Sequence, residues 1–193
     1  MRSTTIIAAV SLGLALCACG KKAETTTDTN IAADLNATGS MTDGNMTGTA
    51  AAMPAQGFVD IIAGSDMFEI QSGKLAATMG SSAAVKSFGQ NLVTDHDKSS
   101  TMLKAAGAKT SPVVALPMIL PADLKAKITA LKATNGVAFD TLFVAQQIEG
   151  HQKALDALKA YAAGGDQESL KSFAARAAPV VEGHLTQLRA MPK

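Results

Sequence analysis

From residue 55 onward, apolar residues recur at steps of three and four, the period of helices that bury one face. The first such stretch, Ala55 to Met79, places Phe58, Ile61/Ile62, Ser65, Phe68/Glu69, Ser72, Leu75/Ala76 and Met79 on one stripe. Gly80-Ser81-Ser82 interrupts it and offers a serine N-cap for a second helix, Ala83 to Ala106, with Gly107 as its C′ glycine. The stripe of that helix runs Val85, Phe88, Leu92, His96, Ser99, Leu103. A later stretch, Val137 to Ala163, alternates steps of four and three through Val137, Thr141, Val144, Ile148, His151, Leu155, Leu158 and Ala162. Gly164-Gly165 breaks the chain, and Asp166 is placed to cap a last helix reaching about Met191. Its face is Leu170, Phe173, Ala177, Val180/Val181, His184, Leu188 and Met191. Pro179 within it frees the Ala175 carbonyl and predicts a kink one turn before His184.

The segment from Ala108 to Asn135 follows another pattern. Pro112, Pro117 and Pro121 punctuate it, and a short helix, Ala122 to Ala133, starts after Pro121. A connection of about thirty residues is too long for an ordinary bundle loop and suits a crossover along the bundle's length. The expected fold is therefore all-α: two antiparallel helical hairpins joined by a long crossover that contains a short helix, over residues 55–193. Composition agrees, with 47% hydrophobic residues, mostly alanine, and only 4% aromatics. A net charge of +1 and the lack of an arginine or lysine cluster exclude nucleic acid as the expected partner.

The first residues carry an address. Arg2 precedes an apolar run from Ile6 to Ala18, too short to span a bilayer, as in a signal peptide over residues 1–18. The run ends Leu16-Cys17-Ala18-Cys19-Gly20, which resembles a bacterial lipobox. The resemblance implies cleavage before Cys19 and acylation of that residue, so the membrane partner is reached through a lipid anchor. No aspartate follows the cysteine, which in such lipoproteins implies sorting to the outer membrane, facing the periplasm. Residues 19–54 are rich in Thr, Asn, Asp, Ala and Gly and read as a flexible tether. With Cys17 removed and Cys19 lipidated, the domain keeps no thiol for a disulfide, zinc or nucleophilic catalysis.

The chain has three histidines, and each falls on a core-facing stripe of a different helix. Measured along their helices, Glu69 and His96 lie roughly 18 and 22 Å from their shared turn, and His151 and His184 roughly 21 and 28 Å from theirs. The four residues are thus expected near one level of the core, with His184 the least well aligned. Such a set could hold one transition metal ion, zinc, copper or iron. Alternatively, the same groups satisfy one another by hydrogen bonds and only fix the packing. Asp95 reaches the core edge as a partner behind the ligands, whereas Asp97 faces solvent. Glu149-Gly150-His151 and Glu182-Gly183-His184 repeat one tripeptide. Their glutamates are expected outside the core, and their glycines where helices approach closely.

Several of these features together resemble the family called domain of unknown function 4142. They are Phe68-Glu69-Ile70 with Leu75-Ala76, and Val85-Lys86-Ser87-Phe88 leading to Asp95-His96. Phe139-Asp140, His151, and Leu170-Lys171-Ser172-Phe173 leading to Pro179 and His184 complete the set, which spans Phe58 to Met191. The resemblance implies a ferritin-like four-helix bundle of the bacterial envelope and no established activity. True di-iron ferritins resemble one another through Glu-x-x-His pairs. Here the residues three before each histidine are Val93, Ile148 and Val181, which argues against a two-iron centre. Two functions follow as expectations: non-enzymatic metal binding at Glu69, His96, His151 and His184, or a structural or interaction protein serving envelope stress protection. A redox enzyme with a single iron or copper has less support, because no second catalytic group can be named.

Overall fold

The structure, a computed structural model, describes residues 53–191. The signal peptide, Cys19 and the tether as far as residue 52 lie outside the described residues. Within them are five helices and no strand: α1 (Ala55–Met79), α2 (Ala83–Gly107), α3 (Ala122–Lys132), α4 (Gly136–Gly164) and α5 (Glu168–Ala190). None is long and apolar enough to cross a membrane. Helix α1 packs on α2 and α4 on α5; α1 also touches α4, and α2 touches α5. The short α3 lies against α1 and α4.

The boundaries follow local chemistry. Ser82 caps α2, its hydroxyl accepting from the Val85 amide at 3.2 Å. Gly107 does not end α2 as expected: it is the helix's last residue, and Ala108 is the cap in ordinary helical geometry. Glycine is used there for space, since a Cβ would lie 2.9 Å from Cγ2 of Val114 in the crossover. Asp166 does not cap α5 either. Gln167 holds that position, and Asp166 accepts instead from the Tyr161 hydroxyl at 2.6 Å. Helix α5 runs unbroken through Pro179, and Pro179 and Ala175 both lie on its exposed side. The lost hydrogen bond therefore falls where water is available. In α4 the expected seam holds from Val144 onward, but Val137 is 73% exposed and Thr141 is also exposed. Phe139, Phe143 and Gln147 carry the face instead, and Phe139 and Phe143 pack in one cluster with Ile128 and Leu131 of α3, which lies over this part of α4.

Two side-chain amides fasten the crossover. Gln56 both donates to the Ala115 carbonyl (2.7 Å) and accepts from its amide (2.9 Å). Gln167 does the same for Ser111, at 3.3 and 3.2 Å. The two hairpins are tied at the opposite end by Asp140 of α4, whose carboxylate oxygens accept from the Ser81 and Ser82 amides, each at 2.8 Å. These amides belong to the α1–α2 turn and have no helical partner. Asp140→Ala is expected to cost about 1–3 kcal/mol in a denaturant titration. An unchanged midpoint would show that water replaces the carboxylate freely.

Helices α1 and α2 touch backbone to backbone. A Cβ on Gly89 would sit 2.7 Å from the Gly73 carbonyl oxygen and 2.7 Å from Cβ of Ala76, and one on Gly73 would sit 2.7 Å from the Gly89 carbonyl oxygen. Neither backbone can swing aside as a side chain would. Gly89→Ala should therefore destabilise the domain by about 1–3 kcal/mol, although alanine is the better helix former. Equilibrium unfolding that showed a gain would mean the pair separates without strain.

The core is not one apolar mass. One cluster gathers Phe58, Ile62, Leu103, Leu155, Tyr161 and Phe173; another gathers Phe68, Phe88, Leu92, Phe139, Phe143 and Leu188. Along every long helix the switch between clusters occurs where polar residues are buried: Asp66 and Glu69 in α1, His96 in α2, Gln147 and His151 in α4, His184 in α5.

Candidate metal centre

Each histidine reaches this layer from its own helix, held from behind. The His96 Nδ1–H donates to Asp66 Oδ1 at 2.8 Å, and the other Asp66 oxygen accepts from the Ser100 hydroxyl at 3.2 Å. The His151 Nδ1–H donates to the Gln147 carbonyl one turn earlier, at 2.9 Å. The His184 Nε2–H donates to Asp95 Oδ2 at 3.2 Å. A carbonyl or carboxylate only accepts, so these three contacts fix the tautomers. The proton of each neutral ring lies on its outer nitrogen, and the inner nitrogen presents a lone pair.

The inner nitrogens meet. One ligand atom from each of His96, His151 and His184 lies within 4.8 Å of the other two. Nε2 of His151 and Nδ1 of His184 are 3.2 Å apart. Corners of a triangle with 4.8 Å sides lie about 2.8 Å from its centre, against ~2.1 Å for a zinc–imidazole bond. Nε2 of His96 is buried and has no hydrogen-bond partner.

The offset expected for His184 is absorbed by side-chain direction. A Cα–Cβ bond leans toward its own helix N-terminus. In an antiparallel hairpin this carries His184 back toward the α4–α5 turn and His151 away from it, so the rings converge.

Electrostatics sharpen the picture. Burial pushes the His151 pKa down to about 3, and the neighbouring His96 and His184 rings add to the fall. Burial also lowers His184, against the opposing pull of Asp95. For His96, burial works against the charged ring but is outweighed by Asp66 at Nδ1, with Glu69 and Asp95 adding to it, so its pKa rises. At neutral pH, His151 and His184 therefore face each other as two lone pairs 3.2 Å apart, which repel unless a cation stands between or beside them. A proton on His96 is one such cation. A metal ion is the other.

Glu69 is placed differently from the three rings. It is fully buried, and its Oε1 is 3.6 Å from Nδ1 of His151, the outer nitrogen of that ring. Neither of its oxygens has a hydrogen-bond partner. Burial raises its pKa to about 8, with the His96 ring opposing the rise. The carboxylate thus stands behind His151, outside the set of mutually close donor atoms.

Asp95 takes its expected place behind a histidine, though the ring is His184 on a facing helix. Asp97 is exposed, as are Glu149 and Glu182, which pair with Lys127 and Lys159. The two glycines of the repeated tripeptide do not serve close helix approach. Gly183 faces open space, and a Cβ on Gly150 would meet Glu69 Oε1 at 3.2 Å. Gly150 therefore makes room for the buried carboxylate.

Nothing in the local sequence marks Asp66 or Gln147 as part of the layer. Asp66 continues the stripe Ile62, Asp66, Glu69, Gly73, and Gln147 lies one turn before His151. Gln147 donates its amide to the Ser72 hydroxyl at 2.9 Å, linking α4 to α1 within the layer.

The family described as Domain of unknown function (DUF4142) matches residues 40–191. The chain belongs to this family. The match covers all five helices and the whole histidine layer. No curated protein and no solved structure matches the chain.

Proposed function

We propose that this member of the family binds one transition metal ion, zinc, copper or iron, through His96, His151 and His184. The observation that carries the reading is the paired orientation of each ring. The outer nitrogen is held by an acceptor, as metal-bound imidazoles are, and the inner nitrogen is turned toward those of the other two rings, unprotonated in His151 and His184 and freed in His96 once its proton is released. Asp66 and Asp95 supply negative charge around the cation and orient His96 and His184. The helical pairing and the long crossover support a ferritin-like four-helix bundle as the frame, with the metal in its midsection.

The motif at residues 16–20 and the polar stretch after it support a lipid anchor at Cys19, which would hold the bundle at the outer membrane facing the periplasm. We read the binding as non-enzymatic, with the three rings as ligands and Asp66, Gln147 and Asp95 holding them in place.

A purely structural layer is the second reading: a proton between Nε2 of His151 and Nδ1 of His184 would turn their 3.2 Å contact into a hydrogen bond. That arrangement leaves Nε2 of His96 unpartnered, a cost a cation held by the three rings would remove. Reconstitution of metal-free protein separates the readings. Elemental analysis after desalting should find about one metal per chain, lost in His96→Ala. Failure to retain zinc, copper or iron would leave the structural layer.

A further inference from the structure

On the side where α2 faces α5, the packing around the layer opens. A cleft of about 50 Å³ is lined by His96, His184, Asp66 and Asp95, with Ser65 and Ser99 as its other polar residues. Its remaining walls are mainly aliphatic, and Met102 and Val180, 41% and 48% exposed, stand among them at the surface. His151, the third donor, does not line it.

Three protein ligands leave a fourth position on a tetrahedral ion. Two of the three donors border the cleft, so that position faces it. Size restricts what enters. A water molecule needs about 10–15 Å³ by the same measure, so the space suits a molecule of two or three heavy atoms. Charge restricts it further. The lining carries two carboxylates, which repel anions, and most of its other residues are apolar and give a charged group no compensation.

We infer that the cleft between α2 and α5 admits a small uncharged ligand, of the dioxygen and nitric oxide class, to the open position of the metal held by His96, His151 and His184. The inference rests on the metal reading given above. The claim is one of reversible binding and includes no redox step.

The test uses the purified protein loaded anaerobically with ferrous iron, with nitric oxide as the neutral probe and azide as the anionic one. Iron content is measured first in every sample. Nitric oxide should convert the ferrous site to a half-integer-spin species seen by EPR, while azide at equal concentration leaves the ferrous spectrum unchanged. Val180→Trp and Met102→Trp place a ring over the cleft from exposed positions. Each should retain iron and slow nitric oxide binding by roughly tenfold or more. Iron bound without a nitric oxide signal would overturn the inference and leave the metal reading intact. The same would follow from equal binding rates in wild type and both iron-loaded variants, or from azide binding as readily as nitric oxide. A chain that retains no iron would overturn the inference together with the metal reading for that ion.

Discussion

Zinc at a hundred times its dissociation constant is expected to raise the thermal midpoint of the metal-free protein by roughly 10 °C. A ligand that binds only the folded state at that excess stabilises it by about 2.7 kcal/mol. For a domain of this size, each kcal/mol moves the midpoint by about 3–5 °C. The unfolded chain offers no competing site of comparable quality, because its three histidines are far apart in sequence. The shift should vanish in His96→Ala, His151→Ala and His184→Ala, since each removes one of three donors. Differential scanning calorimetry of the four proteins with and without zinc is sufficient. Equal shifts in wild type and all three variants would place the zinc elsewhere.

Replacing Glu69 by glutamine should stabilise the metal-free protein at pH 8, by about 2–4 kcal/mol relative to wild type. Burial raises the Glu69 pKa to about 8 from an unperturbed 4.5. Between these values the folded protein holds a proton that the unfolded chain has released, so stability falls as pH rises. His151 acts in the opposite sense at lower pH. Its folded pKa of about 3 lies below the unperturbed 6.5, so its contribution to stability is lost as pH falls from 6.5 toward 3. His184 shifts in the same direction, and His96, whose pKa is raised, joins Glu69 above pH 6.5. The metal-free wild type should therefore be most stable between about pH 4.5 and 6.5 and weaken toward pH 8. Glu69→Gln keeps the shape and removes the ionisation, so the Glu69 part of the alkaline decline should disappear and only that of His96 remain. Urea titrations of both proteins at pH 5, 6.5 and 8 read this directly. A variant less stable than wild type at pH 8 would show that the carboxylate is compensated in the folded state. Zinc should flatten or reverse the decline, because Glu69 ionises more easily beside a cation and His96 must release its proton to bind one.

The helices and the three histidines were legible because burial imposes a period of 3.6, and a histidine in phase with Phe88 and Leu92, or with Leu155 and Leu158, has to face inward. Asp66 lies on the same stripe but reads as a solvent-facing charge until His96 is placed beside it, 30 residues away in sequence. The Asp140 pairing with Ser81 and Ser82 spans 59 and 58 residues and leaves no local pattern. The first half of α4 differs from its expected seam because α3, which plays no part in the seam's pattern, covers Phe139 and Phe143, while Val137 in the first turn is left exposed. Glu69 lies beside His151. Its side of His151 depended on Gly150, and a missing side chain does not reveal which atom fills its space.

X-ray absorption at the zinc edge of zinc-loaded protein tests the central claim most directly. About three imidazole nitrogens at ~2.0–2.1 Å, with one further light atom, are expected. A shell made only of oxygens, or the loss of zinc on desalting, would contradict it.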